Sequence, residues 1–146
     1  MAKGGSLRAL WRGFTKRCPR CGSGHVFGRW LDMKTHCPQC GYRFQREEGF
    51  FLGAYVINLA VSELVVVVVV VILIVQEARG RAGSLVPWIA VSAGIQVVLP
   101  FFFYPFSKTI WSALDLAMRP LDPHEEAEAI LRREDAPPPA RERRHP

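Results

Sequence analysis

Two long apolar runs, joined by a short link, limit this chain to a pair of helices that are buried all round or sit in lipid. Between Phe50 and Val75 the strongly polar residues are Asn58, Ser62 and Glu63. Between Leu85 and Phe106 they are Ser92 and Gln96. A bilayer core about 30 Å thick needs about 20 helical residues, and the two runs supply 26 and 22. The seven valines Val65 to Val71 would be an aggregation-prone strand in water. In lipid a backbone must satisfy its own hydrogen bonds, so the same run is compatible with helix. A buried soluble hairpin is the alternative, but too little chain remains to cover two helices that are apolar all round. The expected fold is therefore a mainly α membrane protein built on an antiparallel two-helix transmembrane hairpin.

Orientation follows from charge. Gln76 to Ser84 is a nine-residue link with Gly80 and Gly83 as helix breakers, which places both termini on one side. Of the 19 Lys and Arg residues, only Arg79 and Arg81 lie in that link, which favours cytoplasmic termini. Residues 1–49 hold ten basic residues against Asp32, Glu47 and Glu48, a net charge of about +7. Beside a membrane such a segment meets anionic lipid, at about 1 kcal/mol per basic residue; nucleic acid is the competing partner for the same charge. Residues 1–17 lack the apolar core of a signal peptide, so an inner (plasma) membrane location in a bacterium is expected. Trp88 at one edge, with Tyr104 and Trp111 at the other, suits the aromatic belts of a bilayer.

Ahead of the first run, Cys18-Pro19-Arg20-Cys21 and Cys37-Pro38-Gln39-Cys40 make a C-x2-C-x15-C-x2-C pattern. Two knuckles with two thiolates each can close a tetrahedral site for one structural zinc ion. Gly22 and Gly41 follow the second cysteine of each pair and allow a tight turn. Short strands within His25–Met33 and Tyr42–Gln45 would make residues 18–48 a small β zinc ribbon. About thirty residues cannot bury a stable core alone, so the metal supplies folding energy. A redox role for the Cys-Pro-x-Cys pairs is the rival reading; two matched pairs without a βαβ context count against it. Four thiolates leave no open position for water, so the site is expected to be structural rather than catalytic. His25 and His36 are then surface residues.

Around this centre, Leu7, Leu10, Trp11 and Phe14 recur at helical spacing, with Arg8, Arg12, Lys16 and Arg17 on other faces. This makes residues 1–17 an amphipathic helix for the membrane interface, or for packing on the ribbon. Ile110, Trp111, Leu114 and Met118 repeat the pattern, predicting a second interfacial helix over 109–119 at the end of a membrane unit spanning 49–120. Asp122, Pro123 and Glu125 form an N-cap, first-turn proline and capping-box acid for a short helix to about Arg133. The proline-rich stretch from Ala136 is expected to be disordered, completing a 121–146 segment.

Inside the bilayer, Glu63 and Gln96 fall at similar depth, and Asn58 with Ser62 share a helix face at i, i+4. Intramembrane ionisable groups are costly and mark function or a partner. A neutral Glu63 bonded to Gln96 would glue the hairpin; the sharper alternative is a polar seam for a proton, an ion or a partner helix. Gly49, Gly53, Ala60, Ala90 and Gly94 offer small surfaces for close helix packing.

The two Cys-Pro-x-Cys-Gly motifs, then Tyr42-Arg43-Phe44, then Glu48-Gly49-Phe50-Phe51-Leu52-Gly53-Ala54 and two spans form a joint pattern over about residues 7–120. It resembles the bacterial membrane family designated domain of unknown function nine hundred and eighty-three; the seven-valine run departs from that pattern. The resemblance implies a zinc-ribbon membrane protein and transfers no catalytic residue. It singles out Glu48, Gly49, Gly53 and Ala54. Glu48 would favour a helix N-terminus and pair with an arginine of the ribbon.

No Ser/His/Asp set, phosphate-cradling loop or open metal site is present in the sequence, and a non-enzymatic role is expected. The leading expectation is a membrane-tethered adaptor or assembly factor whose ribbon offers Phe27, Trp30, Arg20, Arg29 and Arg43 to a membrane-protein partner or a second copy. A small transporter or membrane-enzyme subunit using Glu63, and a nucleic-acid-binding module, are the alternatives.

Overall fold

The computed structural model describes residues 3–81 and 83–135. Four helices follow in order: α1 (Lys3–Phe14), α2 (Leu52–Ala78), α3 (Val86–Met118) and α4 (Pro123–Glu134). The expected disordered tail, residues 136–146, lies outside the described residues. Both α2 and α3 are long and apolar enough to cross a membrane. They face one another along Ala54, Asn58 and Ser62 of α2, while Leu52, Val56, Leu59, Leu64, Ile74, Ile89 and Val97 point outward, exposed.

The second apolar run and the expected interfacial helix 109–119 are one element. α3 continues without a break through Pro100 and Pro105 to Met118. A proline removes a backbone donor, and in the turns that follow three hydroxyls fold back onto carbonyls of the same helix. Thr109 Oγ1 donates to the Pro105 and Phe106 carbonyls, Ser107 Oγ to Phe103, and Ser112 Oγ to Lys108. The amphipathic half finds its partner in protein rather than along the membrane surface: Pro105, Ser107, Thr109, Ile110, Ser112, Ala113 and Asp115 are all buried. α1 supplies part of that cover through Ala9 and Gly13. A Cβ on Gly13 would stand 2.8 Å from both Ala113 Cβ and the Thr109 carbonyl oxygen, so only glycine lets the helices approach so closely. Leu7, Trp11 and Phe14 consequently line the opposite, exposed face of α1.

Between α1 and α2 lies a head without helix. Its core is Cys18, Val26, Met33, Cys37, Tyr42 and Phe44, closed by Phe27, Phe51, Leu116 and Leu121. The expected β ribbon is corrected here: among the described residues pairing is confined to two isolated antiparallel bridges, Phe27 with Met33 and His36 with Arg43. His25, at φ 62°, breaks the extended backbone at the start of the first expected strand, and Gly22 and Gly41 turn the chain ahead of each. Each hairpin keeps about one bridged pair, and side-chain burial holds the rest.

The head sits on the end of the hairpin. Trp30 packs edge-on against Phe102 with centroids 5.4 Å apart. Lys108 donates to the Leu31 carbonyl at 2.9 Å and lies over the Phe51 and Tyr104 rings. Lys16 covers Phe106 at 4.1 Å.

Candidate metal centre

The two knuckles repeat one backbone design. The Cys18 N–H donates to the Ser23 carbonyl at 2.9 Å, and the Cys37 N–H donates to the Tyr42 carbonyl at 2.8 Å. Gly22 N–H returns to the Cys18 carbonyl at 2.8 Å and Gly41 N–H to the Cys37 carbonyl at 3.0 Å. Both glycines hold positive φ, 82° and 69°, a region that a side chain would strain. The proline after each first cysteine lacks an N–H, and neither of these turns asks it for one.

This design brings Cys18, Cys21, Cys37 and Cys40 together with all four sulfurs within 4.8 Å. The cross-knuckle separations are 3.8 Å for Cys18–Cys40 and 3.7 Å for Cys21–Cys37. A tetrahedron with metal–sulfur bonds of about 2.3 Å has edges of about 3.8 Å. The donor set fits a tetrahedral metal ion. Ser23 supports it, its N–H directed at Cys21 Sγ (3.5 Å) and its hydroxyl 3.3 Å from Cys37 Sγ. As bare thiols the group is electrostatically uneven. Contacts from Cys18 and Cys40 hold Cys37 far below the usual thiol range, whereas contact with Cys37 and burial push Cys18 up. A bound cation would relieve that conflict, since all four sulfurs could then carry charge.

A second constellation, missed in the sequence, ties the head to α3 and α4. Arg46 donates to Asp115 at 3.0 Å, to both carboxylate oxygens of Glu125, and to the Arg119 carbonyl at 2.8 Å. Arg119 adds a 2.9 Å bond to Asp115 and a 3.1 Å bond to Glu47. The hydrogen bonds that Arg46 donates to Glu125, then to Asp115, push its pKa up against the opposing effect of burial. In return Arg46 holds the Glu125 carboxyl below its ordinary range. The expected partner of this kind was Glu48, but Glu48 is exposed and makes no ion pair among the described residues. The neighbouring Glu47 pairs instead with Arg119 at the end of α3, so neither acid meets an arginine of the ribbon. The signal available was Asp115 itself, a lone acid inside an otherwise apolar helical repeat.

Helix α4 caps the second knuckle. Its capping box at Asp122 and Glu125 forms as expected. Gly41 lies against the Ala129 backbone, with no room for a side chain, and Arg20 of the first knuckle pairs with Glu126 at 2.9 Å. His36 lies beside this contact, and burial, with the Arg132 and Arg43 charges, lowers its pKa.

Of the residues singled out by the Glu48–Ala54 motif, Gly49 adopts φ 73° ahead of α2, and Ala54 is fully buried. Gly53 is the seat of the Trp111 ring, which occupies the place of a side chain. Ala60 and Ala90 are exposed, and Gly94 faces open space, so these three do not make helix contacts. Asn58 does: its Nδ2 donates to the Pro100 carbonyl at 3.0 Å, while Ser62 donates to the Asn58 carbonyl. Glu63 and Gln96 line one groove without a hydrogen bond between them, so the expected glue is carried by Asn58 and Pro100 instead. Ser92 turns back to the Trp88 carbonyl of its own helix.

A four-thiol head anchored on two candidate membrane-spanning helices defines the class of protein. The sequence profile of a family described as protein of unknown function (DUF983) matches residues 27–115, about three fifths of the chain, and the chain belongs to that family. Cys37, Cys40, Arg46, Asn58, Glu63, Gln96 and Asp115 lie inside the matched stretch, whereas Cys18, Cys21 and α4 lie outside it. No curated protein and no solved structure matches the chain.

Proposed function

We propose that the protein is a membrane-tethered adaptor or assembly factor, its head folded around one structural zinc ion and presented at the cytoplasmic face of a bacterial plasma membrane. The observation that carries this reading is the way the thiol cluster is mounted. Four sulfurs at tetrahedral spacing leave a metal no vacant position. The same head is fixed to α3 by Arg46 and Asp115, and to α4 by Arg20 and Glu126. When bound, the metal supplies folding free energy and charge neutralisation. The chain's own residues hold the head at a set height on the hairpin and leave Arg29, Trp30 and Arg43 exposed around it. This is the behaviour of a rigid docking surface rather than of a reaction site.

Membrane insertion is supported by the outward apolar faces of α2 and α3, which no part of the described chain covers. Lipid contact at the head is supported by the exposed Leu7, Trp11 and Phe14 stripe beside a basic N-terminal segment.

The test is photo-crosslinking of the full-length protein in its native membrane from position 30 or 29. One membrane polypeptide captured in stoichiometric yield, and lost when Cys37→Ser unfolds the head, is the expected result. Capture that survives loss of the head, or no membrane polypeptide at all, would overturn the adaptor reading. Capture of salt-sensitive nucleic acid would transfer the role to the basic surface.

A further inference from the structure

The hairpin carries a groove of about 300 Å³, lined by Tyr55, Asn58, Leu59, Ser62, Glu63, Gln96 and Pro100 and open on its outward side. Its polar groups are out of balance. The Asn58 amide spends a donor on the Pro100 carbonyl, leaving Oδ1 buried without a partner, although the residue is only 7% exposed. Gln96 Oε1 is likewise buried and unpartnered. Ser62 gives its hydrogen to the Asn58 carbonyl. The groove therefore presents acceptors whose donors are missing, in a part of the chain where lipid can supply none. Beside them stands the exposed Glu63, which has no hydrogen bond of its own. A carboxyl carries one O–H donor when it holds its proton and only accepts when it does not, and a bare charge is costly beside hydrocarbon.

Donor and orphan acceptors thus share one patch, which is the condition for self-complementarity about a two-fold axis, where residue i of one copy meets residue j of the other. We propose that this groove is the interface between two copies of the chain in the membrane, each copy's Glu63 acid donating to the Asn58 Oδ1 or Gln96 Oε1 acceptor of its partner. The exposed apolar residues that flank it, Leu59 and Tyr55, would pack across the same axis. Tyr55, Gln96 and Glu63 are the groove's side chains that can carry a donor beyond Asn58 and Ser62, and of these Glu63 is the ionisable group exposed at the groove with no hydrogen bond inside its own copy. The proposal rests on the membrane-spanning part of the function above and on nothing in the head.

The test uses full-length protein reconstituted in nanodiscs large enough for two copies, with oligomeric state read by native mass spectrometry across protein-to-lipid ratios. Wild type should be dimeric, and a photo-crosslinker at position 59 should give a product of twice the chain mass. Glu63→Ala and Asn58→Ala should each weaken dimerisation by tenfold or more. Glu63→Gln, which keeps a donor, should retain most of it, and Glu77→Ala, outside the groove, should change nothing. A monomeric wild type, a dimer indifferent to Glu63→Ala and Asn58→Ala, or cross-linking from position 59 to a polypeptide of another mass would overturn the proposal. Carbonate-resistant membrane retention, scored on the same samples, reports insertion separately, so failure of pairing and failure of the membrane reading are distinguishable.

Discussion

Arg46 and Asp115 meet at 3.0 Å between the four-cysteine head and the C-terminal end of α3, their side chains only 9% and 1% exposed. The pair lies 69 residues apart in sequence. It converts a small head on a hairpin into one mechanical unit, because Glu125 and Arg119 close on the same two charges.

Removing one partner of a buried pair leaves an uncompensated charge, at a cost of about 3–5 kcal/mol. Asp115→Ala should therefore destabilise the head–helix unit by about 3 kcal/mol, near the lower end because Glu125 still holds Arg46. Thermal unfolding in detergent would measure it. The double variant Arg46→Met with Asp115→Leu removes the buried pair together and leaves only the partly exposed Glu125 without its arginine, so it should lose less than the sum of the two single variants. A double variant as unstable as the sum of both singles would mean that the two residues act independently.

The metal should decide whether the head folds. Structural zinc contributes an apparent 10–16 kcal/mol at neutral pH in small domains, roughly, far more than a core of six buried residues can supply. Purified protein should carry one equivalent of zinc. Cobalt substitution should give the intense charge-transfer bands of a four-thiolate site. Cys18→Ser or Cys37→Ser, or chelation, should open residues 15–51 to protease while α2 and α3 remain membrane-embedded. Full protease resistance in the metal-free protein would show that the core suffices without it.

Acidification should release α4. Arg46 lowers the Glu125 pKa in the folded protein below its ordinary value of 4.5. The folded state therefore binds fewer protons than the unfolded state, and stability rises with pH across that window. The contribution is complete above about pH 5 and is lost as pH falls through the depressed folded value. Hydrogen exchange over Pro123–Glu134 should accelerate in acid, and Glu125→Gln should remove that dependence while raising exchange at neutral pH. Comparing the two proteins at each pH separates this effect from metal loss, which both share. Identical acid profiles would remove Glu125 from the latch.

Period and spacing made much of this legible, and tertiary packing made the rest invisible. The two spans follow from uninterrupted apolar runs, and the thiol cluster from paired cysteines with trailing glycines, because both are local patterns. The Asp122 capping box is local too. By contrast, the amphipathic repeat around Ile110 and Leu114 has the same appearance whether it meets headgroups or protein. The seats of Gly13 on Ala113 and of Trp111 on Gly53 show that it meets protein. The sequence predicts strands in the ribbon, yet pairing stops at single bridges, and His25 in the left-handed region breaks the first of them at its start. Glu48 and Glu47 are equivalent in sequence, and the position of Arg119 chooses between them.

Gly53 gives the sharpest check on how α2 meets α3. The Trp111 ring rests where a Gly53 side chain would project, and Phe50 packs beside the same indole with centroids 6.2 Å apart. Gly53→Ala must displace a large, well-packed ring rather than the end of a flexible chain. Overpacking of this kind costs about 1–3 kcal/mol, and it should act on the junction between hairpin and head rather than on membrane insertion. The expected result is a lower melting temperature and faster exchange over residues 50–54, with unchanged membrane retention. Trp111→Leu alone should also destabilise, by opening a cavity. In the double variant the new methyl group should fill part of that cavity, so the two losses should not add. Additive losses would place Trp111 away from Gly53 and undo the packing that joins the two helices at the base of the head.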